Sequence, residues 1–227
     1  MMENYPKAFI FDLDGVITDT SEYHFSAWKK LAEEIGIHID RDFNEQLKGI
    51  GRMESLKRIL ALDISNEQRT TEEIEELATR KNMHYQELIQ SINESNILPG
   101  IEALLIKIRE NNIKIALGSA SRNATFVLER LGLTQYFDYI VDAAKVSKGK
   151  PDPETFTTAA DYLKLPYEVC VGIEDAASGI EALNKANMFS VGVGDKTFLA
   201  EADYIVSDTS HLEFTEIVKR YKQWKSE

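Results

Sequence analysis

Residues 7–16 read KAFIFDLDGV. Positions 7–11 make a near-continuous apolar run that stops at two aspartates and Gly15, the pattern of a strand buried on both faces rather than half-exposed. Asp12 and Asp14 therefore stand where the first strand runs out. Residues two apart on a strand point to the same side, so the two carboxylates share one small space. Like charges that close perturb each other's protonation, unless a cation neutralises one or function needs the other protonated.

Downstream, Trp28, Leu31, Ala32 and Ile35 fall on one helical stripe that Gly36 stops. The signals stay helical to about residue 95, with Ser65-Asn66-Glu67-Gln68 as a capping box, and 17–95 reads as a helical insertion. At Leu98-Pro99-Gly100 the pattern changes. Ile101, Leu104, Leu105 and Ile108 predict a helix, and Ile113–Leu117 a strand. Further strands are predicted near 139–141, 168–173, 189–193 and 204–206. Helices are predicted over 122–131, 153–163 and 176–186, with Asp152-Pro153 as N-cap and first helical residue of the second. Such alternation gives a parallel sheet with helices on both faces, whose reactive groups gather beyond the carboxyl ends of the strands.

The 227 residues allow one or two domains, and 43% hydrophobic with 28% charged residues is an ordinary globular composition. With 26 basic and 38 acidic residues the net charge is −12, which leaves no global positive field for nucleic acid or an anionic membrane. Any anionic substrate must meet a local cluster. Cys170, the one cysteine, lies in the apolar VCVGI and reads as a buried hydrophobe; no intrachain disulfide can form, which suits a reducing cytosol. The N-terminal run is too short and too acidic for a signal peptide or a spanning helix, so a cytoplasmic protein is expected.

Other strand ends supply matching chemistry. IKIALGS ends at Ser119, VCVGIED at Glu174-Asp175, and Lys150 lies in the loop GKPDP. Hydroxyl, carboxylates and ammonium suit phosphate and a hard cation, and magnesium takes oxygens from one or two carboxylates, water and a substrate phosphate. Together the four segments point to phosphoryl transfer. The aspartates are not a calcium loop, because glycine falls fourth and a third acid is missing; Gly192-Val193-Gly194 lacks the third glycine of a dinucleotide site, and no P-loop occurs. His24, His38, His84 and His211 show no metal-ligand spacing.

In this order, Asp12-Leu13-Asp14-Gly15-Val16, Ser119, Lys150 and Glu174-Asp175 resemble the four motifs of the haloacid dehalogenase superfamily over essentially the whole chain. The resemblance implies an α/β fold: a doubly wound parallel-sheet (Rossmann-like) core, residues 1–16 and 96–227, with an inserted α-helical cap, 17–95. It makes the first Asp the nucleophile and the second the mark of phosphoryl transfer rather than dehalogenation. Five stretches, FDLDGVITDT with EYH (11–20, 22–24), LKGIGRMESL (47–56), RKN (80–82), SASRN (119–123) and GKPDP (149–153), look like the β-phosphoglucomutase family of phosphosugar mutases. Two departures stand out. Gly51 could loosen the phosphate-binding turn, and Arg122 keeps a positive charge where that family often has lysine.

That likeness implies catalysis by Asp12, Asp14, Ser119 and Lys150, with one Mg2+ held by Asp12, the main-chain oxygen of Asp14, and Asp175, supported by Glu174. Arg52, helped by Ser121 and Asn123 beside Arg122, would hold the distal phosphate. Gly49 would line the sugar pocket, Thr20 and His24 would bind substrate near the hinge, and Lys48 and Lys81 would reach sugar hydroxyls or assist closure. The implied reaction interconverts β-glucose 1-phosphate and glucose 6-phosphate through phosphoaspartate, with β-glucose 1,6-bisphosphate as intermediate and activator. A phosphosugar phosphatase of the same superfamily is the alternative, and a non-catalytic sugar-phosphate-binding module a weaker one. The expected partner is a small phosphosugar, with no nucleic acid or membrane, and the expected state a monomer.

Overall fold

A computed structural model describes residues 5–47, 49–63 and 69–226. Its centre is a six-stranded sheet of β1 (Ala8–Phe11), β2 (Lys114–Leu117), β3 (Tyr139–Ile140), β4 (Cys170–Glu174), β5 (Phe189–Val193) and β6 (Tyr204–Val206). The order is β3-β2-β1-β4-β5-β6 and every neighbouring pair is parallel. This is the expected doubly wound sheet, with the order reversing between β1 and β4, where ligands of such folds bind.

Alternation along β1 sorts the core into two layers. Phe9 and Phe11 pack with Ile115, Leu117, Val171 and Ile173 against α5 (Ile101–Glu110), α6 (Ala124–Arg130) and α9 (Phe214–Trp224). Ala8, Ile10, Ala116 and Cys170 face the other way, onto α7 (Glu154–Leu163) and α8 (Ala177–Lys185). Cys170 is buried, as its sequence context predicts, and burial pushes its thiol up to about 12.

Between β1 and α5 come α1 (Ser21–Glu34), α2 (Arg41–Glu45), α3 (Arg52–Leu60) and α4 (Thr71–Leu88), with no strand among the described residues there. They build a separate apolar cluster from Trp28, Leu31 and Ala32 of α1, Leu56 and Ile59 of α3, and Leu77 and Ala78 of α4. Where the chain leaves and re-enters the core, Thr18 bridges Ile97, the Leu98 N–H donates to the Ile17 carbonyl at 3.0 Å, and Thr18 Oγ1 donates to the Asn96 carbonyl at 2.8 Å. The Ser65–Gln68 capping box lies outside the described residues. The same chemistry caps α4 at Thr70, whose Oγ1 accepts from the Glu73 N–H at 3.2 Å while Glu73 Oε2 accepts from the Thr70 N–H at 2.7 Å.

Several boundaries move, two of them for a visible reason. β4 begins at Cys170 because Pro166 starts a 3-10 turn over 167–169, and α7 begins at Glu154, whose N–H Asp152 Oδ1 still caps at 3.0 Å. No helix among the described residues is long and apolar enough to cross a membrane.

Candidate active site

The strand register assembles the site. Phe11 is level with Leu117 on one side and Ile173 on the other, so Asp12, the start of the β2 loop and Glu174 emerge together. Lys150, with no side-chain exposure, donates to Asp12 Oδ1 at 2.6 Å and to Glu174 Oε1 at 2.5 Å. The other oxygen of Glu174 accepts the N–H groups of Asp175 and Ala176, both at 2.9 Å. Glu174 is thus a fully engaged brace beneath Asp175. Burial, then its acidic neighbours, push Asp175 well above the carboxylate range; Asp12 is raised to about 7 by burial, against the pull of Lys150.

Acids crowded this way suit a divalent cation. Asp12, Glu174 and Asp175 each bring a carboxylate oxygen within 4.8 Å of the others. With Glu174 occupied by Lys150 and two amides, Asp12 and Asp175 are the oxygens turned to the cavity, in keeping with a hard cation held by few protein ligands. Gly15 makes the crowding feasible. Its φ is +71°, and a Cβ there would lie 2.1 Å from Asp175 Oδ2.

Asp14 is set by a relay from the inserted helices. The Tyr85 hydroxyl donates to Thr20 Oγ1 at 3.1 Å, and Thr20 in turn donates to Asp14 Oδ1. Burial raises Asp14 to about 6. His24 stacks on Tyr85 with ring centroids 4.0 Å apart, and burial pushes it well below its ordinary pKa. Its Nδ1 lies 2.8 Å from Lys81 Nζ and its Nε2 lies 3.8 Å from Asp14 Oδ2. Lys81 lies over the Trp28 ring at 4.5 Å, and burial, followed by Arg52, lowers it to about 7.

The cavity wall is also basic. Arg52, at the start of α3, and Arg122, on the core loop after β2, both line it, and burial followed by Arg122 pulls the Arg52 pKa down. Two guanidiniums held together across a seam are best stabilised by a shared anion, and their forks match phosphate oxygens. Asn123 ties the same seam: its Nδ2 donates to Asn82 Oδ1 at 2.9 Å and its Oδ1 accepts from Gln86 Nε2 at 3.1 Å. Gly49, with φ +71°, sits where a Cβ would come 2.8 Å from Ser178 Oγ and 2.9 Å from the Ala176 Cβ. We expect Gly49→Ala to hold the insertion off the core, raising KM several-fold, and to lower the melting temperature because alanine is strained at this positive φ; unchanged steady-state kinetics would show that this contact does not govern closure.

The pattern of the haloacid dehalogenase-like hydrolases matches residues 6–187. The chain belongs to that family. It is 48% identical over 219 residues to β-phosphoglucomutase of Bacillus subtilis (strain 168), covering 96% of this chain and 97% of that protein. The crystal structure of a β-phosphoglucomutase from Clostridium difficile superimposes with a TM-score of 0.96 at 50% identity, over 98% of this chain and 100% of that one. A phosphorylated-carbohydrate phosphatase of Thermotoga maritima is 31% identical over 185 residues, 80% of this chain and 82% of that protein.

On this haloacid dehalogenase-like scaffold, Asp12, Asp14, His24, Gly49, Arg52, Lys81, Ser119, Ser121, Arg122, Asn123 and Asp175 all line one cavity. Lys150 and Glu174 stand directly behind it. Lys48 lies outside the described residues. Thr20 departs from expectation: it is fully buried, absent from the cavity wall, and its hydroxyl is spent on Asp14, so it orients an acid rather than binding substrate. Gly51 takes φ −69° and ψ 155°, ordinary extended backbone, so it introduces no special turn. The sequence does not single out Tyr85 or Gln86, shows Asn82 only as part of RKN without a role of its own, and reads Trp28 only as core. All four sit on helices whose apolar stripe is visible but whose site-facing edge is defined by residues remote in the chain.

Proposed function

We propose that the protein is a β-phosphoglucomutase, interconverting β-D-glucose 1-phosphate and β-D-glucose 6-phosphate through phosphorylated Asp12 and β-D-glucose 1,6-bisphosphate. The observation that carries this reading is that one cavity is lined both by the acids Asp12, Asp14 and Asp175 and by the guanidinium pair Arg52 and Arg122. A bisphosphate needs both. The similarity to β-phosphoglucomutases over nearly the whole chain supports the same reading.

In the first half-reaction the sugar 6-oxygen attacks the phosphorus on Asp12 and its proton passes to Asp14. The aspartyl P–O bond breaks and its electron pair returns to the Asp12 carboxylate. After the bisphosphate turns over, Asp12 attacks the 1-phosphoryl group and Asp14 protonates the departing sugar oxygen. Splitting the transfer in two makes each step easier, and an acid near 6 is populated in both forms at neutral pH. Ser119, whose Oγ accepts from the Ser121 N–H at 3.1 Å, keeps its own proton for a phosphoryl oxygen. Lys150 balances charge beside the nucleophile. Mg2+, held by Asp12, Asp175 and the main chain of Asp14, would neutralise the entering phosphate.

Residues 17–95 act, in this proposal, as a cap on the core formed by 1–16 and 96–227, excluding the water that would hydrolyse phosphoaspartate. The protein works as a monomer, since one chain supplies every group named. A cytoplasmic location fits a charged phosphosugar substrate and the lone buried thiol of Cys170.

The deciding experiment supplies β-glucose 1-phosphate, magnesium and a trace of the 1,6-bisphosphate, and compares glucose 6-phosphate with free phosphate. Mostly free phosphate would favour a phosphatase, the activity of the Thermotoga maritima relative. No phosphoryl label on Asp12 would favour a binding module. Arg52→Ala should then cut conversion strongly while slow hydrolysis of phosphoaspartate persists, so the ratio of hydrolysis to transfer rises. An unchanged ratio at wild-type rate would remove Arg52 from the distal site.

A further inference from the structure

Lys150 reaches Asp12 from residues 141–153, a stretch with neither helix nor strand. Its ammonium must still sit between Asp12 at 2.6 Å and Glu174 at 2.5 Å. One side chain grips the stretch just upstream. Glu154, the first residue of α7, accepts the Ser147 N–H on Oε1 at 2.7 Å and the Lys148 N–H on Oε2 at 2.8 Å. From there the loop turns back on itself: Asp152 donates its N–H to the Gly149 carbonyl at 3.0 Å, and its Oδ1 accepts from the Glu154 N–H at 3.0 Å.

A carboxylate that takes two successive amides makes charge-assisted bonds with fixed direction. Glutamine cannot copy this, because its amide nitrogen would face an N–H donor. Aspartate keeps the charge but is a methylene short. Glu154 itself is not part of the cavity wall. We propose that Glu154 is a positioning residue for phosphoryl transfer, holding the 147–150 turn so that Lys150 meets Asp12. The proposal rests on the phosphoaspartate reading for its kinetic consequence, though not for the geometry. The rival reading is an acid that merely complements the α7 dipole, which would leave Lys150 where it is.

Three measurements test it. In Glu154→Gln, kcat should fall by about ten- to a hundred-fold, the effect of displacing a catalytic group by about an ångström, with KM unchanged because other elements grip the sugar phosphate. Glu154→Asp should recover part of the loss. The 15Nζ resonance of the Lys150 ammonium, sharp when buried between two carboxylates, should broaden in Glu154→Gln. In the wild-type protein the Ser147 and Lys148 amides should exchange slowly, which is decisive if the variants fail to fold. Wild-type kcat in Glu154→Gln, an unchanged Lys150 resonance, or wild-type amides exchanging as in a free loop would each overturn the proposal. If the wild-type enzyme releases only phosphate, the mutase reading fails while the resonance and exchange data still judge Glu154.

Discussion

Asp12→Asn should form no phosphoenzyme and show no turnover, while its fold survives. The amide has no nucleophilic oxygen of carboxylate strength, and no other carboxylate contacts Lys150 from the cavity side. Radiolabelled bisphosphate, with mass spectrometry to exclude reversion to Asp, checks this; a hydroxylamine-sensitive label on the variant would disprove the assignment. Stability should move the other way. A carboxyl raised to about 7 in the fold from 3.8 contributes stability that is complete below pH 4 and lost as the pH climbs through 7. At pH 8 in a chelator the ionised Asp12 therefore weighs against the fold and the neutral Asn does not, while Lys150 keeps Glu174. The melting temperature of Asp12→Asn should be no lower than wild type under those conditions.

Asp14→Asn should lower turnover by about two to four orders of magnitude, the usual worth of a positioned general acid–base. The main chain and Asp12 are untouched, so labelling of Asp12 by acetyl phosphate, whose leaving group needs no proton, should persist near the wild-type rate. Transfer to and from sugar hydroxyls is what fails. Turnover within a few-fold of wild type would remove Asp14 from proton transfer and leave the Tyr85–Thr20 relay without a catalytic purpose.

The core is legible because strands buried on both faces read as unbroken apolar runs, and three of these runs end in groups that serve the site: Asp12, Ser119 and Glu174-Asp175. The helix α9 escapes the reading although Phe214, Ile217, Val218 and Tyr221 carry helical spacing. Its apolar stripe is narrow and sits among charges. Thr20 is misread for a different reason. Its hydroxyl is committed by Tyr85, a partner 65 positions away, and no local pattern reports that. Asn123 likewise has a role visible only once α4 supplies Asn82 and Gln86. Arg52 and Arg122 are legible as cations, and their nearness follows from the family likeness rather than from any local pattern, since it depends on how the insertion folds back.

The two strands of chain that join the insertion to the sheet run side by side and are bonded to each other at Thr18, Asn96, Ile97 and Leu98. A single tether would let the helices swivel freely about it. Two tethers fastened together act as a flat strap, softer to bending across its face than to torsion. In the proposed cap, such a strap would guide each closing stroke to bring Arg52 back to Arg122 along one arc, and a sugar bound in two opposite orientations would meet the same geometry each time.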